Sequence, residues 1–263
     1  MIDYYQAFWL ALVQGLTEFL PISSSGHLAL MSPLLGWPDQ GLAFDVAVHV
    51  GSLFAVLLYF RRDLAALAAA TPAVFSNRST ADSRLLLNLC VASLPVLVVG
   101  YLLQGWIEQV LRGPLVIAAA MIGFGVLLWW SDQGDRRDTL VQMTLTAAVV
   151  IGLAQALALI PGTSRSGVTL TAALFLGFTR IEAARFSFLL SIPVIFFAGL
   201  AKSLQVISDP NLDTGLFVFG VLVSAISAYV CIALFLGLLE RIGTLPFVIY
   251  RFILGTTLFV LFL

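Results

Sequence analysis

A carboxylate, three consecutive hydroxyls and an imidazole share one short stretch of this chain, at Glu18, Ser23, Ser24, Ser25 and His27, with Gly26 among them. A carboxylate or an imidazole can take up and return a proton, and a serine oxygen beside such a base can attack. Far along the chain, Gly162, Ser164, Arg165, Ser166 and Thr169 set a fixed planar cation among hydroxyls. That combination suits bidentate engagement of phosphate, with Gly162 letting backbone approach a ligand closely.

The two stretches resemble each other about 141 residues apart: Gln14 to His27, and Gln155 to Gly167. Each interrupts an apolar helix with Pro21 or with Pro161 and Gly162, then supplies hydroxyls and a further glycine. Inside a membrane such a break exposes backbone polar groups, which is tolerated only where protein or a water-filled cavity satisfies them. Helix N-termini following the breaks would offer free N–H groups and a positive dipole end to an anion.

Several of these residues have an ordinary reading beside the chemical one. Serines after Pro21 can simply cap a helix, and Thr169 can cap or pack. Glu18 resists that reading, because a carboxylate near the bilayer centre costs roughly 2.5–3.5 kcal/mol and calls for a cavity and partners. Gln14, four residues earlier, shares its helix face. His27 sits beside the hydroxyls, whereas His49 lies in an apolar helix and reads as packing or a supporting hydrogen bond. Asp45 and Arg185 could orient loops, although ordinary interfacial placement serves equally well.

Composition places these residues in a bilayer. The chain of 263 residues is 60% hydrophobic and 10% charged, with a mean hydropathy of +1.05, far from the roughly 25% charged make-up of soluble domains. Apolar stretches run from about Ala43 to Phe60, Leu85 to Leu103, Leu115 to Trp130, Leu145 to Ile160, Ala183 to Leu200, Leu216 to Leu239 and Phe247 to Leu263. Most approach the roughly 20 residues needed to cross the hydrocarbon as a helix. No polar interval is long enough for a separate soluble core, so residues 1–263 read as a single integral membrane domain. Thirteen basic against fourteen acidic residues give no reason to expect nucleic acid as a partner. Cys90 and Cys231 lie in apolar runs and read as small buried hydrophobes. The opening Met-Ile-Asp-Tyr-Tyr has no basic n-region, so no removable signal peptide is expected.

Division near Asp138 gives two halves, about 1–138 and 139–263, each a broken segment followed by three apolar spans. The expected fold is therefore an all-α polytopic membrane protein with six transmembrane helices and two re-entrant broken-helix segments. Three crossings per half turn the second half upside down, an inverted-topology repeat. This alternation gathers Arg61, Arg62, Arg78, Arg84, Arg136, Arg137 and Arg241 on one face, against Arg112 and Lys202 on the other, and the arginine-rich face is expected inside. The competing count makes Ile2–Leu20 a full span.

At these motifs the chain resembles the undecaprenyl-diphosphate phosphatase family, also called the bacitracin-resistance family, over essentially its whole length. Gly15-Leu-Thr-Glu-Phe-Leu-Pro-Ile-Ser-Ser-Ser-Gly-His27 looks like the first family signature, and Pro161-Gly-Thr-Ser-Arg-Ser-Gly-Val-Thr169 fits the second. The resemblance implies removal of the terminal phosphate from undecaprenyl diphosphate, recycling the lipid carrier for peptidoglycan synthesis. It also implies a bacterial inner membrane, a site open towards the periplasmic face, and Mg or Ca as an associated divalent cation. Residues matching Glu18, Ser24, His27 and Arg165 carry the reaction, with Ser24 the proposed nucleophile. Ser23, Ser25, Gly26, Gly162, Ser164, Ser166 and Thr169 are expected around the substrate, and Gln14 with Glu18 as metal ligands.

Gln14 stands where the family often has Glu, which puts direct metal ligation in question, because an amide oxygen brings neither charge nor basicity. On this reading His27 handles the proton, Glu18 either orients or activates the nucleophile or helps bind the cation, and direct attack by water is the mechanistic rival to Ser24. The partners expected are a polyprenyl diphosphate lipid and membrane lipids; a homodimer is compatible with the sequence, which does not fix the oligomeric state. Architecture alone would also suit a secondary transporter or lipid flippase with a midplane anion site.

Overall fold

The computed structural model describes residues 2–76, 80–111, 113–207 and 213–263. Eleven α-helices follow one another there: α1 (Tyr4–Glu18), α2 (Ser24–Leu35), α3 (Gly41–Tyr59), α4 (Arg61–Val74), α5 (Ala81–Val110), α6 (Pro114–Ser131), α7 (Leu145–Ala156), α8 (Arg165–Phe175), α9 (Arg180–Ile207), α10 (Thr214–Ile242) and α11 (Leu245–Phe262). The six helices α3, α5, α6, α9, α10 and α11 are long and apolar enough to cross a membrane, which bears out the all-α polytopic expectation. α4 is a helix the sequence reading passed over as a polar interval. Cys231 is buried as expected, its thiol donating to the Leu16 carbonyl at 3.1 Å. Cys90 departs from expectation: it lies exposed on the outer apolar face of α5, where lipid tails are as compatible with a thiol as a protein core is.

The two broken segments form helical hairpins, α1–α2 and α7–α8, whose ends return to where they began. Tyr5 of α1 meets Trp37, just beyond α2, edge to face at 6.3 Å, and Tyr4 meets Phe219 near the start of α10 at 5.4 Å. In the second hairpin the Arg137 and Asp138 amides donate to Gly177 O at 3.0 and 3.1 Å, and the Thr179 amide donates to Asp138 O at 3.1 Å. That closure lies where α10 finishes. Asp132, just past α6, accepts the amide and hydroxyl of Thr244, after α10, at 3.2 and 2.9 Å, and two N–H groups of Arg180, at the start of α9, at 2.8 and 2.9 Å. The hairpins thus enter the bundle from opposite ends of α10.

Several helix contacts repeat when the halves are exchanged. α1 packs on α10 as α7 packs on α5, α3 packs on α10 as α9 packs on α5, and the pairs α3 with α9 and α6 with α11 map onto themselves. A glycine permits close backbone approach in the first helix of each hairpin: a Cβ on Gly15 would lie 2.6 Å from Ser224 O on α10, and one on Gly152 would lie 2.6 Å from Ala92 O on α5. In lipid, where apolar burial gives no drive between helices, such backbone proximity and its dispersion energy hold the bundle together. Exchange is incomplete, most plainly at the second helix of each hairpin. α8 lies close to α6, α7 and α9, whereas the backbone of α2 approaches only α1 closely.

The end of the bundle where the second hairpin closes carries the arginines. Arg185 bonds Asp63 at 2.7 Å and Glu182 at 3.1 Å, and Arg136 joins Arg180 on Asp132 at 2.8 Å. Arg78 and Arg112, used in the orientation count, lie outside the described residues. Burial alone would raise the Asp132 carboxyl, but donation from Arg180 and Thr244, with Arg136 beside it, more than offsets this and holds it below its ordinary 3.8. A depressed carboxylate contributes stability that is present above its unfolded value and lost as pH falls through the folded one. Thermal denaturation in detergent should therefore show a loss of stability as pH falls below about 4. Asp132→Asn should remove about 3 kcal/mol at neutral pH by stranding Arg180 and Arg136, and flatten that acid limb; an unchanged limb would place the titration elsewhere.

Candidate active site

The two breaks meet inside the bundle with the same local geometry. Ser23 and Ser164 are the helix-capping residues of α2 and α8, with φ of 73° and 72°, and they are the non-glycine residues of positive φ among those described. Each hydroxyl accepts the amide three residues on, Gly26 N at 3.3 Å and Gly167 N at 3.1 Å. A left-handed serine costs of order 1–3 kcal/mol and persists only where its surroundings over-determine it, a situation concentrated at functional sites. Gly162, at φ 91°, brings the second break against α6, where a Cβ would lie 2.5 Å from Ile117 O.

Ser24 and Arg165 are the first residues of α2 and α8, equivalent positions 141 apart. Both turn to Glu18, the last residue of α1. Ser24 Oγ donates to Glu18 Oε2 at 2.6 Å, Arg165 donates to Glu18 Oε1 at 2.8 Å, and Gln14 Nε2 donates to Oε2 at 3.0 Å. Phe19, fully buried and edge-on to Phe188 of α9 at 5.1 Å, fixes the end of α1 so that this carboxylate faces the break. The arrangement is that of a hydroxyl held by a base, with a cation steadying the base's other oxygen. Arg165 also donates to Ser187 O at 3.2 Å, leaving further N–H groups for a ligand.

The remaining residues expected at the site make contacts away from the Glu18 carboxylate. His27 Nδ1 reaches back to Ser23 O at 2.7 Å, and its Nε2 bonds the Tyr250 hydroxyl; in the neutral ring Nδ1 therefore carries the proton and Nε2 accepts. Neither nitrogen addresses Ser24. Ser166 donates to Leu20 O at 2.8 Å and Ser164 approaches the same carbonyl at 3.5 Å, so both hydroxyls close the first break. Thr169 bonds Ser187 Oγ at 2.6 Å, behind the carbonyl that holds Arg165. Ser25 is exposed, with its Oγ 3.4 Å from that of Ser23, and Gly26 is buried in the first turn of α2.

Four residues at the site escaped the sequence reading. His49 of α3 places Nε2 4.0 Å from Glu18 Oε2, while its Nδ1 bonds Asp45 O at 2.7 Å. Tyr250, Ser187 and the buried Arg251 complete the set. No signal in the sequence marked His49 beyond its being one of two histidines, because its partner is brought up by packing of α1 on α3. Asp45 takes Gln40 at 3.1 Å through its carboxylate, and Arg185 is occupied by Asp63 and Glu182.

Mg or Ca takes several oxygen ligands, commonly with more than one carboxylate or with substrate phosphate. Here Glu18 is the one carboxylate in the contact set, and Arg165, Ser24 and Gln14 already donate to it. Gln14 presents its amide nitrogen to Glu18, and its Oε1, though buried, finds no hydrogen-bond partner among the described residues. Among those residues no three His, Cys, Asp or Glu side chains converge. As arranged, Gln14 and Glu18 do not form a cradle for a divalent cation. A chelator should accordingly leave the melting temperature of the substrate-free protein within about 1 °C of its untreated value, since only a bound ion adds stability by mass action; a fall of several degrees would reveal a resident metal.

Comparison with known proteins points to one family. The bacitracin resistance protein BacA family matches residues 7–257. The undecaprenyl-diphosphatase of Alcanivorax borkumensis is 56% identical over 260 residues, covering 98% of each chain. That of Chromohalobacter salexigens is 57% identical over 262 residues, covering 98% of this chain and 99% of its own, and that of Saccharophagus degradans is 54% identical over 261 residues. With a family match across nearly its whole length, and relatives this similar from end to end, the chain belongs to the bacitracin resistance protein BacA family.

Proposed function

We propose that this multi-pass membrane protein is an undecaprenyl-diphosphate phosphatase of the bacterial inner membrane, and that its site opens to the periplasmic face. The hydrogen bond from Ser24 Oγ to Glu18 carries this reading, because it joins a nucleophile to a base beside Arg165. In the membrane the hairpins α1–α2 and α7–α8 serve as re-entrant segments of an inverted repeat, entering from opposite faces and meeting near the midplane. The 15 residues of α1 extend only about 22 Å, short of the roughly 30 Å hydrocarbon. Closure of both hairpins at opposite ends of α10 supports the same topology.

The terminal phosphate binds between the N-termini of α2 and α8, where Arg165 offers its unused N–H groups and the helix dipoles add positive potential. Ser24 Oγ attacks phosphorus as its proton passes to Glu18 Oε2. The anhydride P–O bond breaks, and its electron pair leaves with the bridging oxygen of undecaprenyl phosphate. Developing charge on the equatorial oxygens is met by Arg165 and by backbone N–H groups. Glu18 passes that proton on and draws another from water, whose oxygen attacks the phosphoserine; the Ser24 O–P bond breaks, phosphate leaves, and Ser24 Oγ takes the proton back from Glu18. His49 Nε2, 4.0 Å from the carboxylate, is placed to hold the proton between steps. His27, with Tyr250, braces the first turn of α2. The Ser24–Glu18 contact supports the activating role for Glu18 that the sequence offered beside His27.

Transport without hydrolysis gives the Ser24–Glu18 contact no purpose. Purified protein in detergent, where no two compartments exist, should release inorganic phosphate from undecaprenyl diphosphate. Failure to do so with any prenyl diphosphate would end the phosphatase reading. Glu18→Gln keeps the size and loses the base, and should lower kcat by about 10²–10⁴-fold. Arg165→Lys keeps the charge but loses the planar fork, so a rise in KM together with a fall in kcat is expected. Near-normal kinetics in either variant would remove that residue from the mechanism.

A further inference from the structure

The largest fully buried side chain among the described residues is Arg251, in the middle of the membrane-spanning α11 and 1% exposed. An arginine at such a depth is costly and ordinarily pairs with a carboxylate. Among the described residues Arg251 has no ion pair. Four backbone carbonyls receive its N–H groups instead: Met121 O from Nε at 3.0 Å, Pro21 O from Nη1 at 3.1 Å, and Ala120 O and Gly162 O from Nη2 at 3.2 and 3.1 Å. One guanidinium therefore joins α6 to both helix breaks.

The two carbonyls it takes from the breaks are equivalent. Pro21 precedes Ser24 by three residues and Gly162 precedes Arg165 by three, the same 141-residue offset that relates the serine caps. Nη1 also lies against the first turn of α8, 3.3 Å from where a Cβ on Gly167 would stand. We propose that Arg251 is a positioning residue: it sets the turn bearing Ser24 in register with the turn bearing Arg165, and leaves an unneutralised positive charge beneath the anion those turns hold. Four donors diverging from a rigid plane suit this task, and a lysine ammonium cannot span three segments at once. The inference rests on the phosphate site proposed above and extends it to a residue that touches no substrate.

Orthovanadate, a phosphate mimic, tests it by isothermal titration calorimetry on the full chain in detergent. The fitted stoichiometry reports the competent fraction and Kd reports the geometry of the site, so lost protein and a loosened site separate. Arg251→Gln should weaken Kd by at least about tenfold, given how steeply catalytic geometries respond to displacements near 1 Å. Arg251→Lys, retaining the charge without the bridge, should fall between Arg251→Gln and wild type, and carries the test if Arg251→Gln does not fold. A Kd within about twofold of wild type in the variants that fold, whether or not stoichiometry drops, would make Arg251 purely structural and overturn the proposal. If the wild type binds vanadate but hydrolyses no prenyl diphosphate, the phosphatase reading fails while the positioning role is still decided by the variants. If the wild type binds no vanadate, the anion site and this proposal fall together.

Discussion

A helix broken inside an apolar bundle frees carbonyls and amides that protein or a water-filled cavity must satisfy. The protein meets this demand twice, and the interior is arranged around how it does so. Ser23 and Ser164 take amides of the helices they start. Ser166 takes the carbonyl of Leu20, and Arg251 takes those of Pro21 and Gly162. Once these groups are satisfied, each break is rigid, and the side chains at its rim can be spent on a ligand.

The halves solve the backbone problem alike and differ where chemistry begins. At the first position after each cap one half places Ser24 and the other Arg165, and Glu18 bonds both. On the proposed mechanism a nucleophile and a phosphate clamp thus occupy equivalent places, aligned by equivalent turns. The asymmetry extends to packing. Arg165 starts a helix closely flanked by α6, α7 and α9, whereas Ser24 starts one whose backbone approaches only α1 closely. A clamp on a closely flanked helix, facing a nucleophile on a more loosely flanked one, suits a substrate whose phosphate must be fixed while its long apolar tail enters from lipid.

Much of this was legible in the sequence because helix breaks, intramembrane charge and hydropathy are local signals. Six apolar spans, two interrupted segments and the candidates Glu18, Ser24 and Arg165 need only short windows of chain. The partners of His27 and His49 needed more. Proximity of His27 to Ser24 along the chain suggested a shared proton, but its nitrogens reach Ser23 O and Tyr250, which is 223 residues away. His49 reads as packing or a supporting hydrogen bond, and its bond to Asp45 O is there, but its place 4.0 Å from Glu18 comes only from the packing of α1 on α3. Arg251 was hidden for the same reason: its four acceptors are backbone carbonyls, which have no side-chain identity to read. Ser164 and Ser166, expected at the phosphate, reach the Leu20 carbonyl of the neighbouring break.

The unequal roles of the two turns come to one question, whether phosphorus bonds to Ser24. A rapid-quench single turnover with undecaprenyl diphosphate labelled in its terminal phosphate answers it most directly. Label should appear on the peptide containing Ser24 before it appears as free phosphate. Label passing straight to free phosphate, with Ser24→Ala turning over at nearly the wild-type rate, would contradict a serine nucleophile and leave Glu18 to activate water alone.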